Sequence, residues 1–257
     1  MRYLFGNGSG HPDLVCSLNN PEKSEIIATM RNAVFDGADG FLLHIEALNQ
    51  EYRNKESLNE IFKYAEDKPV LALDYRREGR TDAENASMLI EAIDAGADYI
   101  DVFADMFDAH EGICYTDDAE AVKKQKEVIE KAHSMGGRVM TSAHMFNFVE
   151  PDKVLEMALN LESRGADIVK IAAQVTSEDE LLKGIYLTTQ LRKNLKVPFL
   201  HICMGQYGKV HRVIAPLFGS CMVLCVQQYT AYSHKDKPLL RAVREIYGNL
   251  DYKRFRD

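Results

Sequence analysis

The sequence predicts an α/β chain folded as one (β/α)8 barrel, the TIM-barrel architecture, over residues 1–257. Eight short apolar runs bounded by Gly, Pro or Asp alternate with eight helical patterns. The tripeptide Gly-Ala-Asp recurs at Gly37, Gly96 and Gly165, each time where a helical pattern gives way to an apolar run. The turn after the first run, Ser17-Leu-Asn-Asn-Pro21, has none of the glycines that an open nucleotide-binding sheet places there. No linker or low-complexity segment interrupts the alternation, and barrels of about 250 residues are single domains.

In chain order the strands are expected at Leu14–Leu18, Phe41–Glu46, Val70–Asp74, Tyr99–Phe103, Val139–His144, Ile168–Ala172, Phe199–Met204 and Met222–Gln227. The clearest helices are Pro21–Phe35, Asp82–Ala95, Asp118–Ser134, Pro151–Arg164, Ser177–Asn194 and Pro238–Tyr247, with weaker patterns at Leu58–Glu66 and Lys209–Leu217. Their starts carry a cap, a proline or first-turn acids: Asn20-Pro21, Thr81-Asp-Ala-Glu84, Glu150-Pro151 and Ser177-Glu-Asp-Glu180. Glycine in the repeated tripeptide fits the left-handed position that ends a helix.

Composition narrows the function. Apolar residues make up 46% and charged residues 27%, enough for a large core and too balanced for a disordered chain. Thirty-one Lys and Arg against 39 Asp and Glu leave a net charge of −8, which repels phosphate backbones and anionic membranes, so neither nucleic acid nor membrane is an expected partner. The five cysteines lack paired CxxC spacing and read as reduced core thiols. With no apolar run near membrane length and no signal-like start, a cytoplasmic protein is expected, and a homodimer is its expected assembly. The basic tail Tyr252–Arg256 is long enough only for a surface or subunit contact.

Within Ala166–Ala173, Val169 and Ile171 alternate with Lys170, so a strand period of two sends the lysine to the opposite face. A buried lysine is either held by a carboxylate or sheds its proton and becomes a nucleophile. If branched aliphatics face the helices, the interior receives Leu42, His44, Glu46, Asp74, Asp101, Phe103, Met140, Ser142, His144, Lys170, His201 and Cys203. Such a polar set argues for a site at the C-terminal mouth. Two chemistries fit. Lys170 could condense with a substrate ketone while His144 moves a proton at the adjacent carbon. Alternatively His44, Glu46, Asp101, His144 and His201 could supply ligands to a divalent ion in a metal-dependent isomerase or hydrolase.

Ser142-Ala-His144-Met-Phe146 is followed by Val169-Lys170-Ile-Ala, with Lys170 26 residues after His144. Together with Met204-Gly-Gln-Tyr-Gly-Lys-Val-His-Arg212 and Phe218-Gly-Ser220, this set resembles type I 3-dehydroquinate dehydratases. The resemblance implies a class I aldolase-type barrel that dehydrates 3-dehydroquinate without metal or other cofactor, on the shikimate pathway to aromatic amino acids. By position, Lys170 would form the imine, His144 would act as general acid and base, and Arg212 would bind the substrate carboxylate. Recognition departs from the family pattern. His44 and Glu46 stand where the family has Glu and Arg; Tyr75, with Arg76 and Arg77 beyond it, stands where the family has an arginine. Phe103 replaces an acid, and Tyr229-Thr-Ala-Tyr-Ser-His-Lys235 replaces the Ser-Ala-Pro-Gly-Gln lid. His44, Glu46, Arg76, Asp101 and Tyr232 are therefore the further expected substrate contacts. The substrate is expected to be 3-dehydroquinate or a related cyclic keto acid; a catalytically inactive binding homologue is the other alternative.

Overall fold

The computed structural model describes residues 12–76 and 79–250; Arg77, Glu78 and the basic tail lie outside the described residues. The strands are β1 (Asp13–Leu18), β2 (Gly40–His44), β3 (Val70–Leu73), β4 (Tyr99–Phe103), β5 (Ile113–Cys114), β6 (Arg138–Met145), β7 (Ile168–Gln174), β8 (Phe199–Met204) and β9 (Met222–Cys225). Between them run α1 (Lys23–Phe35), α2 (Lys55–Phe62), α3 (Asp82–Ala95), α4 (Ala119–Ser134), α5 (Pro151–Ser163), α6 (Glu178–Asn194), α7 (Gly208–Ile214) and α8 (Leu240–Gly248). All but β5 pair in parallel in the order β8-β7-β6-β4-β3-β2-β1-β9. The two ends of that order approach through Cys221 N–H to Phe199 O at 2.8 Å and His201 N–H to the Ser220 hydroxyl at 3.2 Å. The result is a nearly closed (β/α)8 barrel. The two-residue β5, which no apolar run announces, pairs antiparallel with the end of β6 at Met145 and His144.

Local chemistry explains the helix starts. Thr81 and Glu84 form a reciprocal capping box on α3, and Asn54, Asp118 and Ser177 accept from first-turn amides of α2, α4 and α6. Asn20 does not cap α1, which begins after Glu22 without a side-chain cap. Among the described residues no helix is long and apolar enough to cross a membrane.

The Gly-Ala-Asp repeat does two jobs, of which only the glycine's is foreseen above. Gly37, Gly96 and Gly165 have φ of 88°, 110° and 103°, so each supplies the left-handed turn that ends its helix. The aspartate then clamps the preceding strand of the barrel. Leu14, Val70 and Val139 N–H groups donate to the carboxylates of Asp39, Asp98 and Asp167 at 2.9, 2.9 and 2.8 Å. In the same order, the three aspartate N–H groups donate back to the Leu14, Val70 and Val139 carbonyls.

An apolar plug fills the lower barrel, with Val15, Leu42, Leu71, Tyr99, Met140, Ile168, Leu200 and Met222 packed in one buried cluster. The interior is thus aliphatic below and polar only at the mouth. Three expected interior residues, on two strands, are corrected. On β8 the inward residues are Leu200, Ile202 and Met204, so alternation turns His201 and Cys203 toward the helices. On β3 the inward residues are Leu71 and Leu73, so Asp74 faces outward, where Arg80 reaches its carboxylate at 2.8 Å and the Asn85 amide donates to its carbonyl at 2.6 Å. In both strands the aliphatics went inside, which inverts the assumption used to assign faces.

The clamp is testable. Asp98→Ala leaves the Val70 N–H, in a residue 0% exposed, without its carboxylate acceptor. Urea unfolding should show a loss of about 1–3 kcal/mol, largely restored in Asp98→Asn; an unchanged midpoint for the alanine variant would refute the clamp.

Candidate active site

Four adjacent strands build the centre. Register places Ser142 of β6 beside Lys170 of β7, and Asp101 of β4 beside Met140 of β6. His144, Asp101 and Lys170 therefore share the inner face, and Tyr75, two residues past Leu73, continues the inward row of β3. Lys170, 4% exposed, donates to Tyr75 Oη at 2.6 Å and to Asp101 Oδ2 at 3.0 Å. Tyr75 Oη lies 3.2 Å from His144 Nε2. A phenol thus stands between the lysine and the histidine.

The protonation states follow from burial. Desolvation, reinforced by the positive charge of Lys170 and by His44, holds the His144 imidazole well below its ordinary value. Burial and the Asp101 charge push the Tyr75 phenol well above its usual range. Neutral His144 therefore accepts from a protonated Tyr75, and Tyr75 in turn accepts from Lys170.

Around this centre is a cavity of about 280 Å3, a size suited to a small metabolite. Leu42, Leu73, Ala172, Ile202, Met204 and Leu224 line it with carbon, while His44, Glu46, Tyr75, His144, Lys170, Arg212, His234, Asp236 and Lys237 supply polar groups. His44 Nδ1 is 2.8 Å from Glu46 Oε1, which leaves Nε2 without a protein partner. Burial lowers the His44 pKa despite Glu46, so the neutral ring donates from Nδ1 and presents the Nε2 lone pair.

Arg212, 6% exposed, comes from α7 and is gripped by the loop after β9: Nη2 donates to Asp236 Oδ2 at 2.6 Å and Nε to the Asp236 carbonyl at 3.2 Å. Gly208 makes room for that loop, since a Cβ there would lie 3.1 Å from the Asp236 Cβ. The remaining expected contacts separate. Arg76 is committed to Asp82 at 2.6 Å and Asp105 at 2.9 Å and lines a neighbouring cavity with Phe103 and Cys114 instead of the central one. Asp101 lies beneath the cavity as the partner of Lys170. Tyr232, 51% exposed, lines a groove at the mouth beside His44 and Glu46.

His201 does not join the metal set proposed for it. With Cys203 and His211 it forms, among the described residues, a group whose possible ligand atoms lie within 4.8 Å of one another, on the helix side of the sheet. There His201 Nδ1 is 2.8 Å from Thr188 Oγ1, and the Cys203 N–H donates to His211 Nδ1 at 3.1 Å. His44, Glu46 and His144 are left without it at the cavity.

Residues 14–251 match the family model of the type I 3-dehydroquinases. The chain belongs to that family. It is 31% identical over 135 residues to a 3-dehydroquinate dehydratase of Pyrococcus abyssi, covering 52% of this chain and 60% of the relative. It is 33% identical over 94 residues to one of Geobacillus sp., covering 36% of each chain. These curated relatives are thus matched over 60% or less of their length. The fold agrees over nearly everything: a type I 3-dehydroquinate dehydratase from Clostridium difficile, solved with covalent modified comenic acid, superposes with a TM-score of 0.82 at 19% identity, covering 98% of this chain and all of that one. The 3-dehydroquinate dehydratase from Geobacillus kaustophilus gives 0.81 at 17% identity over 96% and 95% of the two chains.

The sequence reading places Tyr75 only at the family's arginine position and His234 only in the stretch that replaces the lid, and it names neither Asp236 nor Lys237 at the cavity. Tyr75 had a signal, the alternation Leu71, Leu73, Tyr75; the other three sit in an irregular loop where no periodicity points. The His144 environment makes a prediction. A group whose folded pKa is depressed sheds its proton first, so the imidazole carbon shifts of His144 should stay flat from about pH 8 down to about pH 6. A titration centred near the ordinary value of about 6.5 would contradict its burial.

Proposed function

We propose that this protein dehydrates a cyclic β-hydroxy keto acid, 3-dehydroquinate or a close relative, through an imine on Lys170. The observation that carries the reading is the Lys170–Tyr75–His144 relay, 2.6 and 3.2 Å long, at the edge of a largely aliphatic cavity in a type I 3-dehydroquinase. An amine adds to a ketone only without its extra proton, and here the proton has a path: from Nζ to Tyr75, and from Tyr75 to the neutral His144. The Lys170 nitrogen then bonds to the carbonyl carbon, and the protonated His144 returns its proton through Tyr75 to the departing hydroxyl, so that water leaves, the protonated imine forms and His144 is neutral again. His144 takes a proton from the adjacent carbon, and the electron pair moves into the enamine. The enamine expels the β-hydroxyl, which leaves as water with the proton from His144. Hydrolysis returns the lysine and releases the conjugated ketone. Asp101 opposes the positive charge of the imine as it forms.

The wall of the site favours a ring that carries hydroxyls. His44 Nε2, held as an acceptor by Glu46, would take a hydrogen bond from a substrate hydroxyl, and Arg212 would take the carboxylate. Tyr232 at the mouth groove would contact the substrate's solvent side.

Borohydride added with 3-dehydroquinate should leave a mass adduct on Lys170, and Lys170→Ala should take none and lose at least about 1,000-fold in kcat. Failure to trap any adduct with 3-dehydroquinate or related cyclic keto acids would sink the covalent mechanism. Tyr75→Phe removes the bridge while keeping the ring, so kcat should fall by about 100-fold with KM little changed; an unaffected kcat would leave Lys170 and His144 exchanging protons by another route.

A further inference from the structure

We infer that Lys237, which neither the family resemblance nor the proposed function assigns, is a further binding residue that joins Arg212 at the substrate's carboxylate. The inference rests on the dehydratase reading for the identity of that substrate, and on geometry for the subsite itself.

Lys237 lies in the loop that follows β9, 6% exposed, with its side chain on the wall of the central cavity. Its backbone is fixed on both sides: its N–H donates to His234 O at 3.1 Å, its carbonyl accepts from Tyr229 Oη at 2.9 Å, and the next residue's carbonyl accepts from Val226 N–H at 3.0 Å. The ammonium has one protein partner, the Ser17 hydroxyl at 2.6 Å, and no carboxylate within ion-pair distance among the described residues. A buried ammonium offers three donors, and a single neutral hydroxyl leaves its charge uncompensated.

The second cation of the cavity is half used. Asp236 occupies the Nη2 and Nε positions of Arg212, while Nη1 is buried with no hydrogen-bond partner. Two donors bearing positive charge therefore line one cavity, each with unfilled hydrogen-bonding capacity, and a carboxylate supplies acceptors for both. Asp236 contributes by fixing the orientation of the guanidinium. Lys170, by contrast, already has Asp101 and Tyr75.

The charged and titratable groups that act on Lys237 are Arg212 from α7, Asp236 and His234 from its own loop, Lys170 from β7, His44 from β2, Cys16 from β1 and Cys225 from β9. Burial first, and Arg212 next, push the ammonium down to about 7. It is charged below that pH and neutral above it, so affinity for the carboxylate should decline as pH rises through that value.

The experiment compares wild type with Lys237→Met and Lys237→Arg using 3-dehydroquinate. For Lys237→Met we expect KM to rise about 10- to 100-fold while kcat falls less than about fivefold. Lys237→Arg should recover most of the affinity and remove the rise in KM that wild type shows above about pH 7. Unchanged KM in Lys237→Met, or a borohydride adduct mapping to Lys237, would overturn the subsite. Binding of quinate, the same acid with a hydroxyl in place of the ketone, gives an arm independent of turnover. If wild type neither turns over 3-dehydroquinate nor traps it on Lys170, the dehydratase reading has failed. Quinate affinity then decides the subsite: weaker binding by Lys237→Met supports it, and equal binding by both proteins overturns it.

Discussion

One buried ammonium sets the terms for the rest of the molecule. Lys170 stands above an aliphatic plug, and an unpaired charge there would cost several kcal/mol. Asp101 from β4 and Tyr75 from the end of β3 meet that cost together, and each depends on its strand keeping register with its neighbour. A slip of one residue in β4, β6 or β7 would turn its polar residue toward the helices and an aliphatic toward the mouth. The clamps, the plug and the site are therefore parts of one constraint: the strands must be fixed at one end for the side chains to converge at the other.

The fold was legible because its signals are local. Strand runs, caps and left-handed glycines depend on a few neighbouring residues, and the helix and strand order follows from them. The face assignment was less legible, since it rested on the assumption that branched aliphatics point outward. On β7 it holds for Val169 and Ile171 though Ile168 joins the plug, and His144 and Lys170 face the cavity as that reading expects. On β8 Leu200 and Ile202 fill the interior, so His201 and Cys203, which look like chemistry in the sequence, are helix-packing groups beside Thr188 and His211. Arg76 illustrates another limit. Its position after β3 was read correctly, but its two acids, Asp82 and Asp105, come from α3 and the loop after β4, and nothing local announces that they converge.

Family membership and the site's wall bear on different links of the reasoning. The resemblance in the sequence singles out the lysine and the histidine, which the structure brings together through a phenol. The wall carries groups of its own: a histidine oriented as an acceptor, an arginine gripped by a loop acid, and a lysine resting on a serine. Binding groups determine which molecule is discriminated, whereas the nucleophile and its base determine the reaction. Under the proposed function these two sets come from different segments, the chemistry from strand interiors and much of the wall from the irregular stretch between β9 and α8.

The paired aspartate clamps sit where helices return to strands, the end of the barrel opposite the cavity mouth. A mechanical consequence follows. Each clamp ties an amide at the start of one strand to the turn entering the next strand, so three of the barrel's seams are stitched at the closed end, while among the described residues the seam between β8 and β9 is bridged through the Ser220 hydroxyl and one backbone bond. Opening the barrel therefore costs least at that seam, where the fewest bonds would have to break. Arg212 on α7 and Lys237 in the loop after β9 follow the two strands that border it, so a small opening there changes the spacing of these two cations before it disturbs Lys170.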